Sequence, residues 1–192
     1  MKAGDRGAAL LFDIKGFFDH VHRRRMAHTL RILGFPESIA AWVDSFLADR
    51  RVTLSFNNAF GDEHDQPIGT PQGSPVSPIL STFYTSTLLK LVSQARDSTL
   101  GMYIDDGIIF AHTKEWPEVN RLLCTRYAEC QDWLKRSNLA CEPDKTKLIY
   151  FIKPRQSKYL PPPYLTLPSK PFWLFGLYHT SLLYCTIPRL FY

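Results

Sequence analysis

The chain has 192 residues, 45% hydrophobic and 21% charged, which is enough apolar surface for a sizeable core and excludes a disordered polymer. Its net charge of +5 and pI near 9.0 suit a protein that carries polyanionic backbone on its surface, but the surplus is too modest to establish that alone. Cys124, Cys130, Cys141 and Cys185 show neither CxxC spacing nor the density of a disulfide scaffold, so they read as buried thiols in a reducing, intracellular setting.

Met1-Lys2-Ala3-Gly4-Asp5-Arg6 leads into a strand-like run without a cleavage site, so no signal peptide is expected. Residues 7–13 read as a buried strand that ends on Asp13. The segment Ile14-Lys15-Gly16-Phe17-Phe18-Asp19 is too aromatic for an ordinary exposed loop. Beside a candidate metal acid, Phe17 and Phe18 suggest a pocket floor, although core packing is the commoner use of any one Phe. His20 to Arg25 form a basic cluster entering a helix that runs to Leu33 and stops at Gly34, with Pro36 just beyond. These arginines either touch phosphate or form a solvated helix start. His20 and His22 lack further His or Cys at ligand spacing, which argues against zinc. Pro36-Glu37-Ser38 starts a second helix, with Ile39, Trp42, Val43, Phe46 and Leu47 as its expected core stripe. Arg50 to Phe56 alternates as a strand, and Asn57-Asn58 is a turn.

The loop from Pro67 to Pro78 is rich in Gly, Pro and small hydroxyl residues. Ser77 is expected to cap, and Pro78 to start, a helix through Leu80, Phe83, Leu88 and Leu91. A rigid loop at a helix start suits a nucleotide, yet such loops are common before helices. Next, Leu100-Gly101-Met102-Tyr103 and Gly107-Ile108-Ile109-Phe110 flank Asp105 and Asp106 as a hairpin. Both acids are expected at the tip, with Gly107 supplying the turn's freedom. Taken alone, an Asp pair there is usually a solvated turn. Together with Asp13, however, three acids end or cap β-type runs and are expected to converge. Such a cluster repels itself unless cations neutralise it, and oxygen ligands suit Mg²⁺. Two such ions, about 3.5–4 Å apart, serve in-line phosphoryl displacement.

Pro117 to Leu134 reads as a helix that buries Val119, Leu122, Leu123, Cys130, Trp133 and Leu134 and ends near Ser137-Asn138. Glu142-Pro143-Asp144 is then a turn, and Lys145-Thr146-Lys147 enters the strand Leu148 to Ile152. Lys145 is either a proton donor to a leaving pyrophosphate or a solvated lysine. From Lys153 onward, Pro154, Pro161, Pro162, Pro163, Pro168 and Pro171 predict irregular structure. Phe172 to Tyr192 is too short and too polar in places for a membrane span.

The ordered set Phe12-Asp13-Ile14-Lys15-Gly16-Phe17-Phe18-Asp19, Gly69-Thr70-Pro71-Gln72-Gly73-Ser74-Pro75, Tyr103-Ile104-Asp105-Asp106 and Lys145-Thr146-Lys147 resembles the palm of a reverse transcriptase. The likeness is above all to non-long-terminal-repeat retrotransposon enzymes, with group II intron enzymes as near relatives. It covers roughly residues 8–152. The resemblance implies an α+β palm, an antiparallel sheet backed by helices, and an RNA-directed DNA polymerase acting on an RNA template, a DNA primer and dNTPs. It implies that Asp13 and Asp105 bind two Mg²⁺ ions (Mn²⁺ being an alternative), with the Ile14 carbonyl as a ligand and Asp106 in support. Phe18 would lie beneath the sugar and disfavour a 2′-hydroxyl. Gln72 and Gly73 would border nucleotide and template, Tyr103 the primer end, and Lys145 would be the general acid. Departures are as informative. Only a few residues precede the first strand where the family has a fingers region, and no primer grip, thumb, endonuclease or zinc knuckle is recognisable. The expected organisation is therefore a palm over 1–153 with a partial fingers insert around 35–66, and an irregular tail over 154–192 as a primer-grip or thumb remnant of a truncated copy. The alternative is an inactive palm that only binds nucleic acid or serves as a scaffold. An RNA-dependent RNA polymerase is a weaker rival, opposed by Phe18.

Overall fold

The computed structural model describes residues 4–92 and 96–151 and, beyond them, the backbone of four short strands. In chain order the elements are β1 (Arg6–Asp13), α1 (Phe17–His20), α2 (Arg23–Ile32), α3 (Glu37–Phe46), β2 (Arg51–Phe56), β3 (Ala59–Asp65), α4 (Val76–Val92), β4 (Ser98–Tyr103), β5 (Asp106–Thr113), α5 (Trp116–Arg136), a 3-10 turn (Pro143–Lys145), β6 (Lys147–Phe151), β7 (Tyr164–Thr166), β8 (Pro171–Trp173), β9 (Tyr178–His179) and β10 (Leu182–Thr186). They form two compact units, Met1–Lys15 with Leu88–Tyr192, and Gly16–Thr87.

The first unit is built on a sheet of order β4-β5-β1-β6-β10-β9, every neighbouring pair antiparallel. Side chains alternate across a strand, and here the alternation separates packing from chemistry. Ala8, Leu10 and Phe12 of β1 are buried, as are Ile109 and Ala111 of β5 and Leu148 and Tyr150 of β6. Helix α5, whose Val119, Leu123, Tyr127, Cys130, Trp133 and Leu134 are buried at helical spacing, covers that face. Phe12 meets Tyr127 edge-on at 6.0 Å and Trp116 meets Tyr150 at 5.1 Å, while the Tyr150 hydroxyl donates to Asn120 Oδ1 at 3.0 Å. Each fully buried large apolar side chain contributes about 1.5–3 kcal/mol. The other face of β1 ends on Asp13.

Two helices stop as their sequences predict. Gly34, at φ 85°, closes α2 with amide bonds from Gly34 to Arg31 and from Phe35 to Leu30. Asn138, at φ 58°, closes α5 in the same way, with bonds to Lys135 and, from Leu139, to Leu134. Both are Schellman ends.

In the second unit α2 packs on α3, and β2 pairs with β3. Asn57 and Asn58 both have positive φ, as a tight hairpin turn requires. Every residue of β2 and β3 is exposed. The stripe expected on α3 is shifted. Ala40, Val43 and Leu47 are buried, whereas Ile39 is exposed and Trp42 is 52% exposed and stacks on Phe46 at 5.6 Å. The small Ala40 is fully buried while the larger Trp42 ring stays open, so burial on α3 does not follow ring size. Helix α4 also differs from expectation. It starts at Val76, whose amide takes Ser74 Oγ at 3.3 Å, while the Ser77 hydroxyl donates to the Pro71 carbonyl at 2.6 Å instead of capping. Leu80, Tyr84 and Leu88 form its buried stripe, and Leu91 is exposed.

The proline-bearing stretch after Lys153 was expected to be irregular throughout, yet it contributes four short strands, and β10 pairs with β6, Leu183 opposite Tyr150. Pro171 sits at the first position of β8, where a missing amide is tolerated. Pro161, Pro162 and Pro163 lie outside the described residues. No helix among the described residues is long and apolar enough to cross a membrane.

Candidate active site

Strand pairing sets Asp13 directly opposite Asp106, which in turn stands opposite Tyr103. Directly opposed residues in an antiparallel pair share a face, so both carboxylates and the tyrosine lie on the side of the sheet that α5 does not cover. The turn between β4 and β5 consists of Ile104 and Asp105 alone. This corrects the expectation that both acids occupy the apex, because Asp106 is already the first residue of β5. The Asp105 carbonyl accepts the Ile14 amide at 2.9 Å, which ties the turn to the end of β1.

Gly107 has a role other than the one expected. Its φ is not positive; Ile104, at φ 59°, takes the left-handed position. What Gly107 supplies is space, since a Cβ there would overlap the ring of Phe12, leaving Cε1 only 2.6 Å away. A β-branched residue with positive φ is a genuine outlier that costs about 1–3 kcal/mol. Ile104→Gly is accordingly expected to raise stability by about 0.5–1 kcal/mol, seen as a Tm increase of about 1–4 °C in calorimetry. An unchanged or lower Tm would show that packing of the Ile104 side chain, not backbone relief, dominates.

A second strap organises the acids. The Lys15 amide bonds the Ala140 carbonyl at 2.8 Å, the Glu142 amide bonds the Asp13 carbonyl at 2.8 Å, and Ile14 bridges Cys141. Glu142 then leads into the 3-10 turn that ends on Lys145, whose Nζ donates to Asp13 Oδ2 at 3.0 Å. The Asp13 side chain is 15% exposed and that of Lys145 64%. The hydrogen bond and charge of Asp13, with smaller contributions from Glu142 and Asp105, hold the Lys145 ammonium above the usual lysine range. A cleft of about 640 Å³ opens here, lined by Leu11, Asp13, Tyr103, Asp106, Asp144 and Lys147 among others.

Among the described residues, no group of three or more His, Cys, Asp or Glu side chains is placed to hold a metal ion, so Asp13, Asp105 and Asp106 do not form the three-acid cluster expected from the sequence. Magnesium does not need one, because it takes one or two carboxylates together with substrate phosphates. The oxygen donors of Asp13, Asp105 and Asp106 fit that habit, and the Lys145 ammonium on Asp13 marks a place that already attracts a cation. Thiolate ligation does not fit: burial pushes Cys130 up to about 12 and Cys141 up to about 11, so both stay protonated near neutrality.

The remaining sequence-derived candidates belong to the second unit. Phe17, 1% exposed, packs edge-on against Tyr84 at 6.0 Å and against Phe18 at 5.8 Å, so it is a core ring rather than a contact surface. Phe18 is half-buried and is the open member of the pair. The loop expected to cradle a ligand is fastened beside it: Gly69 N bonds Val21 O at 2.8 Å, Thr70 N bonds Phe18 O at 2.6 Å, and Gln72 Nε2 donates to Asp19 Oδ1 at 3.0 Å. Gly73, at φ 83°, is exposed with nothing near its missing Cβ. The structure therefore gathers Asp13, Tyr103, Asp105, Asp106 and Lys145 in one unit, and Phe17, Phe18, Gln72 and Gly73 in the other. Sequence reading passed over the strained Ile104 and the cleft-lining Asp144 and Lys147. The signal for Lys147 was the period of two in β6, which sets it opposite Leu11 on the acid face.

A family model described as reverse transcriptase (RNA-dependent DNA polymerase) matches residues 2–164. Two curated Drosophila melanogaster proteins are similar. The probable RNA-directed DNA polymerase from transposon BS is 27% identical over 72% of this chain, and that from transposon X-element is 26% identical over 81%. The matched stretch spans 16% and 17% of their respective lengths. Among solved structures, apo telomerase from Candida tropicalis, truncated from its C-terminal domain, matches with a TM-score of 0.60 at 14% identity, over 88% of this chain and 34% of that one. Telomerase from the same organism in complex with a fragment of telomeric RNA also matches at 0.60 and 14%, over 84% and 28%. These two structural likenesses bear on fold alone, whereas the family model covers most of the sequence, and the chain belongs to the reverse transcriptase (RNA-dependent DNA polymerase) family.

Proposed function

We propose that the chain is the palm of an RNA-directed DNA polymerase and that its acid cleft transfers a deoxynucleotide from a dNTP to a primer 3′-hydroxyl on an RNA template. The observation that carries this reading is the register that sets Asp13 opposite Asp106, with Asp105 in the adjoining turn. Asp13 and Asp105 would hold two Mg²⁺ or Mn²⁺ ions, with Asp106 and the Ile14 carbonyl in support. Such ions supply positive charge for the attacking and leaving oxygens of an in-line displacement. Tyr103, 77% exposed, borders the primer end. Lys145 gives its proton to the pyrophosphate oxygen as the bond to the α-phosphorus breaks. Within the Gly16–Thr87 unit, Phe18 is the ring assigned to the sugar, in edge-on contact with Phe17, and Gln72 and Gly73 are the residues assigned to the nucleotide and its template base. Residues around 35–66 serve as a partial fingers insert and the stretch from 154 to 192 as a remnant of the primer-grip region. Positioning by further segments of a longer polymerase would raise the rate, because orientation is much of phosphoryl-transfer catalysis.

The test is extension of a DNA primer on an RNA template with Mg²⁺. Extension is expected with dNTPs, and Phe18→Val is expected to raise ribonucleotide use relative to deoxynucleotide use by about tenfold to a hundredfold. Salt-dependent RNA–DNA binding without any extension would replace this reading with a nucleic-acid-binding palm.

A further inference from the structure

Lys145 and Asp13 are not casual neighbours. The backbone of 140–142 is zipped to that of 13–15 by two amide bonds that flank the Ile14–Cys141 bridge, so the root of Lys145 is fixed to the strand end that carries Asp13. Only the side chain is free to move. Its Nζ is held 3.0 Å from Asp13 Oδ2, and at 64% exposure the side chain has room to swing into solvent once that bond is broken. Asp13 has no such freedom, at 15% exposure on the last residue of β1. One carboxylate thus faces a built-in cation on a fixed arm, at the very group that would bind a metal.

A divalent ion that takes Asp13 Oδ2 must displace the ammonium bonded to that oxygen, and the two positive charges repel each other at contact distance. We infer that Lys145 is the resident counter-ion of Asp13, and that a divalent cation and the Lys145 ammonium occupy the carboxylate in alternation. Loading the ion and freeing Lys145 are then one event. The released ammonium, still rooted beside the cleft, becomes available to the phosphates of a bound nucleotide only when the ion that neutralises the acids is in place. Without metal, the same contact keeps Asp13 neutralised and the site closed to nucleotide. No bond is made or broken in this exchange. The inference rests on the polymerase reading, because it requires Asp13 to be a metal ligand.

The test is a Mn²⁺ titration of the full chain without nucleic acid, following the free ion by electron paramagnetic resonance, with Mg²⁺ as competitor. Lys145→Met keeps the length of the side chain and removes its charge, and it is expected to tighten Mn²⁺ binding about threefold to tenfold. Lys145→Arg keeps the charge and is expected to stay within about twofold of the native chain. Asp13→Asn or Asp105→Asn should remove the tight site. Asp13-dependent Mn²⁺ binding that is unchanged or weaker in Lys145→Met overturns the alternation while leaving the polymerase reading intact. Mn²⁺ binding that ignores both aspartate substitutions overturns the reading and the alternation together.

Discussion

Asp105→Asn is expected to lower primer extension by about 10³-fold or more while leaving the fold intact. Replacing the carboxylate by an amide removes a full negative charge from the place that the proposed polymerase reading assigns to the cations, and metal-borne charge stabilisation is worth several kcal/mol of barrier, each 1.36 kcal/mol being tenfold. The substitution preserves shape. The structural duty of the residue is performed by its backbone carbonyl, which accepts the Ile14 amide at 2.9 Å, and an asparagine keeps that bond. The melting temperature should therefore move little while the rate collapses. Single-nucleotide incorporation at saturating dNTP is the measurement, with circular dichroism as the control. Activity within threefold of the native chain would remove Asp105 from the mechanism.

Gly107→Ala is expected to produce the largest loss of stability, about 3 kcal/mol, read as a Tm drop of about 6–12 °C. The added methyl has nowhere to go: it meets the ring of Phe12, which is buried against Tyr127 beneath the sheet. Either the ring turns out of its packing or β5 lifts from β1. Both responses disturb Asp13 and Asp106, the neighbours of these two residues in sequence. Phe12→Leu vacates part of the ring volume, so the double variant should cost less than the sum of the two single ones, with a coupling of about 1–2 kcal/mol in chemical denaturation. Strict additivity would mean that the clash is relieved elsewhere.

The sequence was most legible where a local rule and the tertiary demand coincide. Gly34 and Asn138 end their helices because the left-handed position that closes a helix is cheap for those residues, and Asn57-Asn58 make a hairpin turn for the same reason. The central strand, the hairpin and the long helix α5 were readable from periodicity, and the ends of two apolar runs do meet where Asp13 pairs with Asp106. Legibility failed where closeness of fit decided the outcome. Gly107 looked like the turn residue because glycine so often is one, yet its neighbour across the ladder is an aromatic ring, and that pairing is set by register between residues 95 positions apart. The left-handed position fell to Ile104, which no propensity would choose. On α3, ring size suggested Trp42 for the core, while the structure buries Ala40 instead. Lys145 was visible as a lysine before a strand, but its partner was not, because the strap from 140 to 142 onto β1 has no sequence signature.

The middle position of β1 has a consequence for synthesis. Ala9 finds one neighbour in Phe110 and the other in Ile149. At about 5–20 residues per second on the ribosome, this apolar strand waits on the order of 10–30 s before its second flank exists. Contacts of such long sequence separation also slow closure of the sheet. The nascent strand thus spends its early life as an exposed, aggregation-prone edge, and yield in a cell-free translation system should respond more strongly to holdase chaperones than to anything done to the helices.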